Sequence, residues 1–130
     1  NAGFSTATPW LKVNPNYPRI NVAAQQDDPD SVLGYYRRLI ALRKAEPTLV
    51  YGRYTLLGPA DTQVYAYTRS EGDNRIVVIT NLSARPARFA EVGCVLRHAG
   101  LLLANRPVEA HADTDLLDLE PYEARVYRVS

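Results

Sequence analysis

No methionine occurs in this chain, and it opens on Asn1-Ala-Gly-Phe4. Without an initiator residue, it is read here as the tail of a longer protein. The single cysteine, Cys94, has no partner for an internal disulfide, so a disulfide framework is excluded. One thiol is compatible with a reducing compartment without demanding one. Apolar runs are short. Ile76-Val77-Val78-Ile79 is far below the roughly 20 residues that a membrane-spanning helix needs. Charge of one sign is also missing. The net charge is +1, and acids and bases are interspersed, which leaves no basic stripe for nucleic acid and no polybasic patch for an anionic membrane. His98 and His111 lie far apart with no Cys or His at ligand spacing, and H-E-x-x-H and C-x-x-C are both absent, so a metal site is not expected. G-x-S-x-G, G-x-x-x-x-G-K and G-x-G-x-x-G are absent too. Motif support for a serine hydrolase, a phosphate loop or a dinucleotide site is therefore lacking.

What is present suffices for one compact domain with a core, or for a smaller domain plus an appendage. The chain has 130 residues and a hydrophobic share of 46%, which argues against wholesale disorder. Residues 1–27 interleave Pro9, Pro15 and Pro18 with Asn, Tyr and Trp. Each proline fixes its own φ and drives its predecessor out of the α region, so Pro9–Pro18 reads as an irregular loop pinned by Trp10 and Tyr17. A helix is expected from Asp28-Pro29-Asp30-Ser31, with Asp28 as N-cap and Pro29 at the first helical position. Val32, Tyr35, Tyr36, Leu39, Ile40 and Leu42 recur at helical spacing and define an apolar face. Arg37, Arg38, Arg43 and Lys44 fill the rest, and are read as a solvated surface. Pro47 stops the helix near Ala45.

Beyond Leu49 the period changes from 3.6 to 2. Tyr51–Leu57, Val64–Arg69 and Arg75–Thr80 read as strands, the last two as a hairpin across the loop Ser70–Asn74. The apolar run Ile76–Ile79 marks a central strand covered on both faces. Ala87–Val92, Cys94–Arg97 and Leu101–Ala104 are weaker strands, and Tyr122–Val129 a stronger one. The fold class is therefore a β-rich α+β chain: an irregular loop and one long helix, followed by an antiparallel β-sandwich.

Residues that could carry chemistry are few. Asp27, Asp28 and Asp30 are close in sequence, but helix initiation accounts for Asp28 and Asp30 without acid–base work. Asp113-Thr-Asp115-Leu-Leu-Asp118 resembles a calcium loop but lacks its glycine and its terminal glutamate, so a solvated loop is expected. Asn81-Leu82-Ser83 is a glycosylation triplet that matters only in a secreted protein. Cys94, between Gly93 and Val95, reads as a small buried hydrophobe. Trp10 and Tyr17 have two readings. They are anchors of the loop, or they form an aromatic wall against which a sugar ring could stack. No pair of carboxylates is placed for catalysis, so no catalytic residue and no cofactor is expected.

Several runs taken together carry a resemblance. Asn1-Ala-Gly-Phe4, Pro9-Trp10-Leu-Lys-Val13-Asn14-Pro15-Asn16-Tyr17, Ile20-Asn21-Val22, Asp28-Pro29-Asp30-Ser31-Val32-Leu33, Tyr35-Tyr36-Arg37, Leu39-Ile40 and Leu42-Arg43 resemble the α-glucosidases of the α-amylase family of glycoside hydrolases, with oligo-1,6-glucosidases nearest. Pro47-x-Leu49-Val50-Tyr51-Gly52 and Leu119-Glu-Pro-Tyr-Glu-Ala124 fit as well. The resemblance implies that residues 1–50 are the terminal loop and last helix of a (β/α)8 barrel, and residues 51–130 the C-terminal sandwich. It implies catalytic carboxylates upstream, a retaining mechanism, oligosaccharide substrates and a cytoplasmic enzyme. Partners expected on this reading are the upstream barrel and its substrate, with no nucleic acid and no membrane. The helix's apolar face is expected to drive self-association when the chain stands alone. A rival reading is a free-standing carbohydrate-binding sandwich with coplanar aromatics on its strands. A third is a structural or interaction module.

Overall fold

Local chemistry shapes the first stretch and long-range pairing the second. The computed structural model describes residues 1–90, 96, 99–108, 116–129 and the backbone of 111–112. It divides into two compact units, residues 1–38 and 39–130.

In the first unit, residues 1–21 contain turns and bends but no regular element. Asn side chains hold the turns. Asn1 Nδ2 donates to the carbonyls of Ser5 (2.8 Å) and Ala7 (2.7 Å), and Asn21 Nδ2 donates to that of Tyr17 (2.9 Å). A short helix α1 (Val22–Gln25) interrupts the expected loop. Asn21 caps it by accepting from the Ala24 N–H at 2.8 Å.

The helix expected from Asp28 starts later, as α2 (Val32–Ala45). Ser31, not Asp28, satisfies its first turn. The Ser31 hydroxyl accepts from the Gly34 N–H (3.1 Å) and donates to the Asp28 carbonyl (2.6 Å), while Gln25 Oε1 accepts from the Leu33 N–H (3.1 Å). Asp28 folds its carboxylate onto the Asp30 N–H at 2.9 Å, a turn that keeps Pro29 and Asp30 outside the helix. Gly34 is buried where this turn crosses the helix. A Cβ there would lie 2.5 Å from the Pro29 carbonyl oxygen. The C-terminal end falls at Ala45 as Pro47 requires, and Pro47 then opens a second short helix, α3 (Pro47–Tyr51).

In the second unit the strands are β1 (Arg53–Leu57), β2 (Val64–Glu71), β3 (Asn74–Asn81), β4 (Ala87–Ala90), β5 (Ala99–Ala104), β6 (His111–Ala112), β7 (Leu116–Leu119) and β8 (Ala124–Val129). Among the described residues they form two antiparallel sheets, ordered β1-β2-β3-β8-β5-β6 and β4-β7. The β2–β3 hairpin is tighter than expected. Pairing runs out to Glu71↔Asn74, so only Gly72 and Asp73 turn the chain, with Gly72 at φ +57°. Tyr51 belongs to α3 rather than to β1, and β8 begins at Ala124 because Tyr122 turns at φ +56°. Strand β7 was not expected. It occupies the end of the stretch read as a polar loop. The proposed strand Cys94–Arg97 and Asp113–Asp115 fall outside the described residues, apart from Leu96.

One core joins the sheets. Val64 and Ala66 of β2, Val77 and Ile79 of β3, Ala87 and Phe89 of β4, Ala99 of β5, Leu117 and Leu119 of β7 and Tyr127 of β8 pack together with Leu96. β3 is covered on both faces, as its apolar run required. Val77 and Ile79 face this core, while Ile76 is buried on the opposite face, where α3 lies against β2 and β3. Burial at about 25 cal/mol per Å² of apolar surface makes this core the main source of stability in the second unit.

The corner before β8 is polar and closed. Asn81 Nδ2 donates to the Arg85 (2.7 Å) and Glu120 (2.9 Å) carbonyls, and Asn81 Oδ1 accepts from Ser83 N–H (3.0 Å) and Oγ–H (2.8 Å). Glu123 accepts from Arg125 Nε and from the Glu120 N–H, both at 2.7 Å. Buried polar groups are tolerated when paired in this way.

Candidate functional site

The two readings of the proline-rich loop meet a single geometry. Phe4, Pro9, Trp10, Leu11, Val13 and Tyr17 line an open cleft of about 640 Å³ within the first unit. Asn14 sets its far end, with its carbonyl accepting from the Tyr17 N–H at 3.1 Å. Trp10 is 93% exposed and Phe4 89%, so neither anchors the loop within this unit. The cleft offers flat apolar faces and no pair of carboxylates. It can stack a planar or ring-shaped ligand, and the titratable side chains in its lining are Lys12 and Tyr17.

Asp28 is engaged in its turn, and Asp27, Asp28 and Asp30 are exposed without forming a cleft together. The helix cations Arg37, Arg38, Arg43 and Lys44 are all exposed, as expected of a solvated face, and three of them also bond backbone carbonyls. Arg37 Nη1 donates to the Gln26 carbonyl at 3.1 Å, Arg38 donates to that of Pro29 and stacks 5.8 Å from the Tyr35 ring centre, and Arg43 Nη1 donates to the Leu49 carbonyl at 3.1 Å. Burial raises the Tyr35 phenol pKa against the opposing charge of Arg38. Asn81 is 1% exposed with both amide atoms bonded, so the glycosylation triplet is closed to modification in the folded chain. Asp118 sits on β7 and pairs with Arg88 at 2.7 Å. Among the described residues, no three His, Cys, Asp or Glu side chains could share a metal ion. Cys94, His98, Asp113 and Asp115 lie outside the described residues, as does the His111 side chain.

A second cluster was not singled out from the sequence. Tyr65, Tyr67 and Arg69 alternate along β2, and Tyr54 stands opposite Arg69 on β1. The Tyr54 and Tyr65 hydroxyls are 3.1 Å apart, and both rings lean on Tyr67, with centres 5.3 and 5.6 Å from it. The bond from Tyr65 chiefly raises the Tyr54 pKa. Burial chiefly raises that of Tyr67, against the charges of Arg69 and Arg43. The alternation Val64-Tyr-Ala-Tyr-Thr-Arg69 was the available signal, since period 2 puts Tyr65, Tyr67 and Arg69 on one face.

Comparison with known proteins places these features. The model of the α-amylase catalytic domain matches residues 1–52. Oligo-1,6-glucosidase of Parageobacillus thermoglucosidasius is 42% identical over 130 residues, covering 99% of this chain and 23% of the relative. A probable oligo-1,6-glucosidase 2 of Bacillus subtilis is 44% identical, covering 98% of this chain and 22% of the relative. The chain belongs to the α-amylase family. The solved structure of the trehalulose synthase MutB from Pseudomonas mesoacidophila MX-45 superimposes with a TM-score of 0.91 at 40% identity, covering 100% of this chain and 23% of that one. This α-amylase-family chain thus spans less than a quarter of the length of the relatives it matches. Both clusters lie in a portion that those relatives share.

Proposed function

We propose that this chain is the C-terminal segment of an α-glucosidase that hydrolyses α-glucosidic bonds in short oligosaccharides with retention of configuration. The segment is structural rather than catalytic. The observation that carries this reading is end-to-end similarity to oligo-1,6-glucosidases at about 42% identity, with the chain covering only 23% of the relative. A retaining glycosidase needs two carboxyl groups flanking the scissile bond, one as acid and one as nucleophile. The described residues offer no such pair in either cluster, so the carboxylates come from the upstream barrel. In barrel enzymes the site lies at the C-terminal face among the βα loops. The exposed Trp10 and the cleft around it suit a loop that borders that face. Residues 1–50 are then the last loop and helix of the barrel, and residues 51–130 the sandwich domain. Val32, Tyr36 and Ile40, all exposed on α2, form the face on which the barrel or a second copy of the chain would pack. The cytoplasm is the proposed compartment.

A test is direct. The purified chain, incubated with a chromogenic α-glucoside and with isomaltose, should give no turnover above a buffer blank. The longer polypeptide that includes the upstream barrel should hydrolyse both. Turnover by the repurified chain alone would overturn the structural role, and an inactive longer polypeptide would overturn the α-glucosidase reading. A free-standing sugar-binding sandwich is less well supported. The strand tyrosines meet at 37° and 51° and so do not form a flat platform.

A further inference from the structure

The outer face of the large sheet holds an unbalanced charge. Arg43 of α2, Leu49 of α3, Tyr54 of β1 and Tyr65, Tyr67 and Arg69 of β2 line a cleft of about 320 Å³. Two guanidinium groups thus share one cleft with three phenols and no carboxylate. Each arginine is steered by a backbone carbonyl: Arg43 by Leu49 at 3.1 Å and Arg69 by Val50 at 2.7 Å. These bonds fix the side chains, and among the described residues neither guanidinium has a carboxylate partner. Glu46, which follows Arg43 on the same segment, is engaged by Arg128 and does not neutralise them. Arg69 Nε is also enclosed without an acceptor, which is an unmet hydrogen bond on a charged group. Tyr54 and Tyr65 share one hydrogen bond between their hydroxyls, so one hydroxyl proton is free to point at a further acceptor.

Arg69 is half-buried with its Nε enclosed, and exposed Arg43 brings a second positive charge to the same cleft, so an anion there would be favoured. A forked guanidinium matches the paired oxygens of a carboxylate or a phosphate, and phenol hydroxyls complete such a shell as donors. A neutral sugar would leave both charges unanswered, and the tilted rings give it no flat seat. We propose that this cleft is an oxyanion-binding site, taking a carboxylate or phosphate group between Arg43 and Arg69 with the tyrosines as its walls. The site lies within the unit of residues 39–130 and stands whether or not the chain is part of a glucosidase.

The test uses the whole chain and two probes, inorganic phosphate and glutarate, titrated at low salt while the arginine Nε–Hε resonances are followed by NMR. The Arg69 resonance should shift and saturate, and Arg43 should report the same midpoint. Saturation with phosphate but not glutarate assigns a phosphate group. Saturation with glutarate but not phosphate assigns a carboxylate, and saturation with both assigns a general oxyanion site. Arg43→Gln and Arg69→Gln should each weaken binding by about tenfold, because a charge-assisted fork is lost. Arg88→Gln, on an exposed strand pair elsewhere, should leave the midpoint unchanged. Should Arg69→Gln fail to fold, the wild-type titration and Arg43→Gln decide alone. A linear response at Arg69 no different from that at Arg88, or an unchanged midpoint in Arg43→Gln, would overturn the site.

Discussion

Residues 1–38 and residues 39–130 are built on different physics. The first unit is shaped by short-range polar chemistry: asparagines holding turns, a serine cap and prolines fixing φ. Its large apolar side chains, Phe4, Trp10, Leu11, Ile20 and Val32, remain exposed. The second unit pairs strands distant in sequence around side chains that are fully enclosed. Side-chain-to-backbone bonds can give a segment its shape, yet each contributes only about 1 kcal/mol net. Fixing a residue's backbone costs about as much. Shape without burial is therefore close to neutral, and the first unit should draw its order from what covers it.

The largest effect follows from the second unit. Ile79 is 0% exposed between the sheets, and Ile79→Ala should destabilise the chain by about 2–5 kcal/mol in urea melts followed by tyrosine fluorescence. A loss below about 1 kcal/mol would mean that the core is loosely packed and the contrast between the units is overstated.

Gly34→Ala asks whether the first unit has any tight packing. An exposed helical glycine would gain up to about 1 kcal/mol from alanine. Here the new Cβ would meet the Pro29 oxygen at 2.5 Å and the Asp28 oxygen at 2.8 Å, both backbone atoms that cannot swing aside. Overpacking of this kind costs about 1–3 kcal/mol, so the clash should win. Faster amide exchange at Leu33, Gly34 and Tyr35 is the expected readout. Unchanged or slower exchange would show that the Asp28-Pro29 turn yields freely.

These two sites also mark what could be read in advance. The β2–β3 hairpin and the α2 stop at Ala45 follow from local chemistry, alternation around Gly72 and a proline at 47, and both were legible. The start of α2 was not. Asp28-Pro29 and Ser31 are each competent starts, and the choice was made by Gln25 reaching back to the Leu33 N–H. Strand β7 was missed because Leu117 and Leu119 become inward residues only once β4 lies beside them. The Arg43–Arg69 cleft needs a helix end, a short helix and two strands brought together, and no local pattern encodes that. Family membership was legible in runs such as Pro9–Tyr17.

A smaller effect should appear with pH. Burial acts to raise the Glu123 pKa, but hydrogen bonds from Arg125 and the Glu120 N–H, with the charges of Arg125 and Arg106, outweigh it and hold the carboxyl below its ordinary value. The folded form therefore favours the ionised acid. That stabilisation is present above the unfolded carboxyl pKa of about 4.5, and it is lost as pH falls through the folded value. Urea midpoints should fall below about pH 4.5, and Glu123→Gln should flatten that part of the curve. An equally steep fall in Glu123→Gln would assign the acid sensitivity to other carboxylates.

The smallest effect should come from the largest side chain. Trp10 is almost fully exposed and buries little to lose, so Trp10→Ala should change the stability of this chain by no more than about 0.5 kcal/mol, the range of exposed substitutions. Leu11, Lys12 and Val13 amides should exchange at nearly unprotected rates in both forms, since their segment opens at little cost. The same substitution in a longer polypeptide carrying the upstream barrel should cost more, because the ring would there have a surface to cover. Strong protection of the Leu11–Val13 amides in the wild-type chain alone would break the comparison at its root, for it would show that the first unit holds itself together without a cover.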